Sequence, residues 1–351
     1  MIMAKFKLNL EKRLLDYIQK NPNSSSKAIY EGFDNSFAYA TIKRGIQELL
    51  NKNLISTNGN GKATKYEISN HFEVICPIDI AIYFEKEIDE RVIKKDFNFP
   101  LIKETLVNIS LFTNDEIVQL SGLQDTFRDN ISKLTKSEYS KEFERLAIDL
   151  SWKSSQIEGN TYSLLETEKL LKEQETAAGK TRDEASMLLN HKATLDFIFD
   201  QPDYINPLTI ARIEDIHSLL VQGLDINRNI RNRRVGISGT NYKPLDNEFQ
   251  IKEALENMCT LINNKGNIFE KALLTLVLIS YIQPFSDGNK RTARIISNAI
   301  LINNHFCPLS FRTVDSIDYK KAMLVFYEQN NISAFKNIFI DQFEFAVKTY
   351  F

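Results

Sequence analysis

Apolar positions along the start of the chain recur at helical spacing, beginning with Leu10, Leu14, Leu15 and Ile18 in "LEKRLLDYIQKN". The serines of "SSSKAIYEGF" are placed to cap a short second helix, and "SFAYATIKRGIQELLNKN" predicts a third. In that third helix Ile42, Ile46, Leu49 and Leu50 share one face, while Ala40, Lys43, Arg44 and Gln47 fall on the other. Two strand-like pieces then flank Asn58-Gly59-Asn60-Gly61, a strong hairpin signal. Three helices followed by a hairpin predict a winged helix-turn-helix domain over residues 1–72. A helical connector follows over 73–141, with "CPIDIAIYFEKEIDERVIKKDFNFP" and "NDEIVQLSGLQDTFRDNISKL" offering no chemistry to single out. From residue 142 helical patterns continue to Phe351, broken by one irregular stretch, "NRNIRNRRVGISGTNYKPL" at 227–245. There is no internal repeat or low-complexity tract. The expected fold class is mainly α.

Composition adds little to this picture, but charge does. With 351 residues, 43% hydrophobic and 26% charged, the chain is long enough for two or three folded domains and is not a disordered polymer. Its net charge of −2 is unevenly spread: residues 1–70 hold eleven Lys/Arg against six Asp/Glu, a net of +5, leaving −7 for the remainder. A basic head on an acidic body points to a polyanion as one partner of the head, with Lys43, Arg44 and Gln47 reaching bases or phosphates and Lys62 and Lys65 on the wing. A dimerisation or protein-docking module with a solvated cationic face fits the same residues, and a homodimer is among the expected partners. The start "MIMAKFKLNLEKR" has no apolar signal region, and the longest apolar run, "ALLTLVLISYI", is short of a bilayer span. Cys76, Cys259 and Cys307 show no CxxC spacing and read as reduced thiols. A cytoplasmic protein without a membrane anchor is therefore expected. His71, His191, His217 and His305 lack ligand spacing; His217, on an apolar-periodic helix, reads as a partly buried, satisfied side chain.

The chemistry concentrates in "QPFSDGNKRTAR" at 283–294. A Gly-Asn pair opening a helix presents free backbone N–H groups and the positive end of the helix dipole, which together make an anion site. Arg291 and Arg294 are three residues apart on one helix face and can turn toward the same anion. Asp287 is placed to hold Mg²⁺ against phosphate oxygens. The plain alternative is an ordinary helix start with surface cations.

"QPFSDGNKRTAR" resembles the signature of the Fic family, HPFxDGNGRxxR, a mostly helical fold whose members typically transfer AMP from ATP to a hydroxyl side chain of a target protein. "SSQIEGN" at 154–160 resembles the family's inhibitory motif, (S/T)xxxE(G/N), and "RRVGISGTNYKPL" at 233–245 its β-hairpin flap that registers the target segment. The resemblance implies a Fic-like core over 142–351, with an inhibitory helix at about 150–160, a flap at about 233–245 and the signature loop at 283–294. It implies that Phe285 anchors the loop, Asp287 binds Mg²⁺, and Gly288 and Asn289 form the anion hole. Arg291 would hold the inner phosphates, Arg294 the γ-phosphate, and Lys290 would line the nucleotide site. Glu158, with Ser154 and Gly159 of the same motif, would pair with Arg294 and displace the γ-phosphate. Val235, Ile237, Gly239 and Tyr242 would dock a target carrying a Ser, Thr or Tyr hydroxyl.

Two departures qualify this. Gln283 stands where the family has its general-base histidine, and an amide has no useful proton affinity near neutral pH. Lys290 stands in place of the second signature glycine, and "GNKRTA" resembles the Doc branch, which phosphorylates its target. The expected activity is autoinhibited AMP transfer, impaired by Gln283; a Doc-like kinase and a catalytically silent, nucleotide-sensing DNA-binding regulator are the alternatives.

Overall fold

The structure, a computed structural model, describes residues 2–34 and 36–351; the side chains of residues 2–9 and 62, Lys62 among them, lie outside the described residues. The chain divides into two compact units, Met1–Pro77 with Ile109–Ile117, and Ile78–Asn108 with Val118–Phe351. No helix among the described residues is long and apolar enough to cross a membrane.

In the first unit helices α1 (Ile2–Lys20), α2 (Ser26–Glu31) and α3 (Tyr39–Asn51) precede strands β1 (Ile55–Asn58) and β2 (Lys65–Ile68), the element order of the expected winged helix. Leu14, Ile18, Ile29, Ile42, Ile46 and Leu49 close its core. Gly45 lets α3 approach α1 closely, since a Cβ there would lie 2.6 Å from Leu14 Cδ1. The strands pair antiparallel with Ile55 opposite Ile68 and Asn58 opposite Lys65. The turn depends on glycine: Gly59 has φ of 82°, and a Cβ would sit 2.8 Å from the Ala63 carbonyl oxygen. Lys43, Arg44, Gln47 and Lys65 are exposed as expected. Gln47 Nε2 is spent on Asn51 Oδ1 at 3.0 Å.

After short helices α4 (Phe72–Ile75) and α5 (Ile80–Tyr83), the chain runs through a 3-10 turn at Ile88–Glu90 and a π-helical turn at Leu101–Thr105 to α6 (Asn114–Ile131). The second unit is then built from α7 (Lys136–Ile157), α8 (Leu164–Glu173), α9 (Arg182–Asp200), α10 (Ile210–Leu220), α11 (Glu248–Asn264), α12 (Ile268–Ile282), α13 (Asn289–Asn303), α14 (Ser316–Gln329) and α15 (Ser333–Tyr350). Helix α12 is apolar all round and buried all round from Ala272 to Ile282, which makes it the central helix of this unit. It pairs antiparallel with α13, Ser297 Oγ donating to the Ala272 carbonyl at 2.9 Å. The α12–α13 hairpin thereby fixes the loop carrying the signature residues.

The expected β-hairpin over 233–245 does not form; the only ladder among the described residues is β1–β2. Residues 233–245 are irregular, and their backbone groups bond to neighbouring segments instead: Lys243 N–H donates to the Lys95 carbonyl at 2.8 Å, and Gly239 O accepts from Arg91 Nη2 at 2.7 Å.

Candidate active site

Helix α12 ends at Gln283, in the left-handed conformation with φ of 52°, its N–H bonded to the Ile279 carbonyl at 3.0 Å. Pro284 cannot continue the helix. Phe285 is fully buried and lies flat on His217, ring centroids 3.6 Å apart and planes 6° apart. The Asn289 side chain then staples the loop, accepting from Phe285 N–H at 2.8 Å and donating to the Phe285 carbonyl at 2.8 Å. Gly288 caps α13 with φ of 82°, and a Cβ would come within 3.1 Å of His217 Cε1. The first bond of α13 runs from Thr292 N–H to the Gly288 carbonyl at 2.9 Å, leaving the amides before it without a helical acceptor.

Around this helix start lies a cleft of about 390 Å³ that gathers Glu158, Val235, Ile237, Gln283, Asp287 and Lys290 with four residues of α14, Lys320, Met323, Leu324 and Tyr327. Candidates from three separate stretches of sequence thus share one cavity. Glu158 caps the C-terminus of α7, which begins well before the expected 150–160 helix. Its Oε1 accepts from Arg294 Nη2 at 3.0 Å and its Oε2 from Lys290 Nζ at 3.2 Å. Arg294 also donates from Nε to Ser154 Oγ and from Nη2 to the Ser154 carbonyl, both at 2.9 Å, and lies 5.3 Å from the Tyr319 ring centroid. Burial by itself would raise the Glu158 carboxyl, but the charges and hydrogen bonds of Arg294 and Lys290 outweigh it and hold it below its ordinary value. Gly159, at φ of 102°, turns the chain out of α7.

The two arginines do not converge on one point. Arg291 pairs with Asp287, Nη2 to Oδ2 at 3.1 Å, while Arg294 turns to Ser154 and Glu158. Both are buried, and Arg291 Nε and Nη1 and Arg294 Nη1 have no hydrogen-bond partner. Buried guanidinium donors left open on the first turns of α13, together with its unpaired amides, form a donor set suited to an anion, although neither arginine lines the cleft itself. Asp287 is largely exposed, and no cluster of three or more His, Cys, Asp or Glu suited to a metal occurs among the described residues. A single carboxylate suits Mg²⁺ as one ligand alongside phosphate oxygens and water.

Gln283 is bolted at both ends. Its Nε2 donates to the Ser280 carbonyl at 2.6 Å and its Oε1 accepts from Asn289 Nδ2 at 3.0 Å. Arg231 braces the same loop, donating from Nε to the Gln283 carbonyl at 2.6 Å and from its backbone N–H to the Pro284 carbonyl at 3.0 Å.

Among the docking candidates, Val235 and Ile237 are half-buried in the cleft wall and Gly239 is exposed at the turn. Tyr242 departs from expectation: it is 3% exposed, stacks on Tyr281 at 4.8 Å and donates its hydroxyl to the Tyr281 carbonyl at 3.0 Å. It anchors the segment from inside and offers no docking surface. His217 is wholly rather than partly buried, directly behind the signature loop, with Nδ1 3.3 Å from Thr292 Oγ1. Burial pushes it down to about 4, with Arg291 lowering it further against the Asn227 carbonyl, so it is neutral at pH 7. Arg231, Tyr319, Met323, Leu324 and Tyr327 escaped the sequence reading; only the density of arginines at 228–234 could have flagged the first.

Comparison with known proteins bears on the family of one segment and on the fold. Residues 207–301 match the model of the Fic/DOC family, so the chain carries a Fic/DOC domain over that segment. The chain is 25% identical over 175 residues to a protein adenylyltransferase fic-1 of Caenorhabditis elegans, covering 48% of this chain and 34% of that protein. It is 28% identical over 179 residues to a protein adenylyltransferase Fic of Nematostella vectensis, covering 47% and 40%. The matched part is thus well under half the length of these relatives. The solved structure of Fic-1 from C. elegans covers 67% of this chain and 72% of its own at a TM-score of 0.59 and 21% identity. A Fic domain containing signaling protein from Bacteroides thetaiotaomicron covers 66% and 94% at 0.56 and 19%. The chain therefore has a mainly α architecture with a Fic-like helical core.

Proposed function

We propose that the protein transfers AMP from ATP to a Ser, Thr or Tyr hydroxyl of a target protein and is held inactive by Glu158. The observation that carries this reading is the Glu158 carboxylate seated on Arg294 and Lys290 inside the cleft that also holds the signature loop. In this reading the first turn of α13, with Arg291 and Arg294, receives the triphosphate, and Asp287 holds Mg²⁺, which neutralises phosphate charge. The target hydroxyl oxygen bonds to the α-phosphorus as the α–β phosphoanhydride bond breaks, pyrophosphate leaves, and the hydroxyl proton passes to the departing pyrophosphate or to solvent. Val235 and Ile237 line the side from which the acceptor segment approaches. Gln283 takes up no proton, so the transfer relies on positioning and charge stabilisation.

The test is a labelling assay with the Glu158→Gly protein, a cell lysate as target source, and Mg-ATP labelled at the α- or the γ-phosphate. Protein-bound α-label is expected and should vanish with Arg291→Ala; Gln283→His on the Glu158→Gly background should raise it by about 10²–10⁴, the usual worth of a general base. Label from the γ-phosphate alone would sink AMP transfer in favour of the Doc-like kinase.

A second reading, a silent nucleotide sensor with a DNA-binding winged-helix head, draws support from the Gln283 amide being tied at both ends by Ser280 and Asn289. In that reading neither label is transferred, and Lys43 and Arg44 carry the output.

A further inference from the structure

Residues 89–98, which lie outside the Fic/DOC segment and drew no functional expectation, run as a strap tied to both the 239–243 stretch and the end of α14. Arg91 is its centre. Its side chain is 3% exposed and pairs with the wholly buried Glu328 of α14, Nη1 to Oε1 at 3.2 Å, while Nη2 donates to the Gly239 carbonyl at 2.7 Å. Its guanidinium lies 5.0 Å from the Phe84 ring centroid, and Tyr83 gives its hydroxyl to Glu328 at 2.6 Å. The strap continues along the same two elements: Asn241 Nδ2 donates to Asp89 Oδ1 at 3.0 Å, Lys94 N–H to the Glu328 carbonyl at 2.9 Å, and Lys243 N–H to the Lys95 carbonyl at 2.8 Å.

One guanidinium therefore spans both walls. Gly239 directly follows the Val235–Ser238 wall of the cleft, and Glu328 directly follows the α14 wall that supplies Met323, Leu324 and Tyr327. The 233–245 segment has no ladder of its own, so its position is set by what it is tied to. We infer that Arg91 is a positioning residue that sets the spacing between the 235–238 wall and α14, and hence the width of the acceptor entrance. Only the word acceptor rests on the proposed transferase reading; the spacing role does not.

Backbone hydrogen exchange, followed by mass spectrometry, tests this without any activity assay. Arg91→Ala alone would leave Glu328 buried and uncompensated, so the informative protein carries Arg91→Met with Glu328→Met, which replaces the ion pair by apolar groups of similar size. The expected result is exchange about tenfold faster or more at Tyr242 and Lys243, whose N–H groups donate to Thr240 Oγ1 and the Lys95 carbonyl, with α12 and α13 unchanged. Wild-type exchange rates at these two amides would overturn the inference. So would equal acceleration in α12 and α13, because that would mark a general structural role. Because the reading is independent of transfer, loss of labelling activity in the assay above leaves this result intact.

Discussion

A neutral imidazole against Phe285 makes His217 a pH-dependent weak point. Its folded value near 4 lies below the ordinary 6.5, so the unfolded chain takes up the proton first as acid is added. Stability is then fully present above about pH 6.5 and is lost as pH falls toward 4, by roughly 3 kcal/mol from the 1.36 kcal/mol per pKa step. His191, pushed down by burial and then by Arg294 and Arg291, adds to the same trend. His217→Phe keeps the stack and removes one titration. Urea unfolding should show a smaller loss between pH 7 and 5 than in the wild type; an unchanged slope would mean His217 is already protonated in the fold. At this scale the sequence was uneven. The Glu158–Arg294 pairing was legible because it rides on a local motif, whereas the second hold by Lys290 was not, because it needs the C-terminus of α7 brought against the start of α13. Tyr242 misled for a related reason: its side chain follows the stacking of Tyr281, which no local pattern encodes.

Among the elements, the hairpin of α12 and α13 depends on one glycine. At Gly288 a side chain would meet both a positive φ and His217 Cε1 at 3.1 Å. Gly288→Ala should cost about 1–3 kcal/mol in urea unfolding, the scale of a forced left-handed residue, and, under the proposed reading, should weaken ATP binding by calorimetry because it moves the free amides of the first turn. Retention of both would mean the loop can shift without consequence. The helices themselves were readable, since α1, α3, α12 and α13 each have their own apolar period or run. The 233–245 segment was read as a hairpin because its residues resemble one; the structure gives its hydrogen bonds to Arg91 and Lys95 instead, partners remote in sequence.

For the molecule as a whole, Lys43, Arg44 and Lys65 are exposed on the first unit, whose net charge falls from the +5 of residues 1–70 to +2 because Glu73, Asp115 and Glu116 belong to it. If that unit binds DNA, Lys43→Ala with Arg44→Ala should reduce the slope of log affinity against log salt by about two, roughly one for each phosphate no longer neutralised. Binding of a promoter fragment with an unaltered slope would take α3 out of the interface. The buried grip on Glu158 reaches further than inhibition alone. One carboxylate occupies two cations at once, so under the proposed reading a triphosphate must displace it from both. Binding and release then form a single equilibrium, and the apparent Kd equals the intrinsic Kd divided by the fraction of molecules already open. If the grip leaves one molecule in about a hundred open, ATP binds about a hundredfold more weakly than the bare site allows. Responsiveness to the cell's nucleotide level would then be set in part by Lys290, the second of the two cations that hold Glu158.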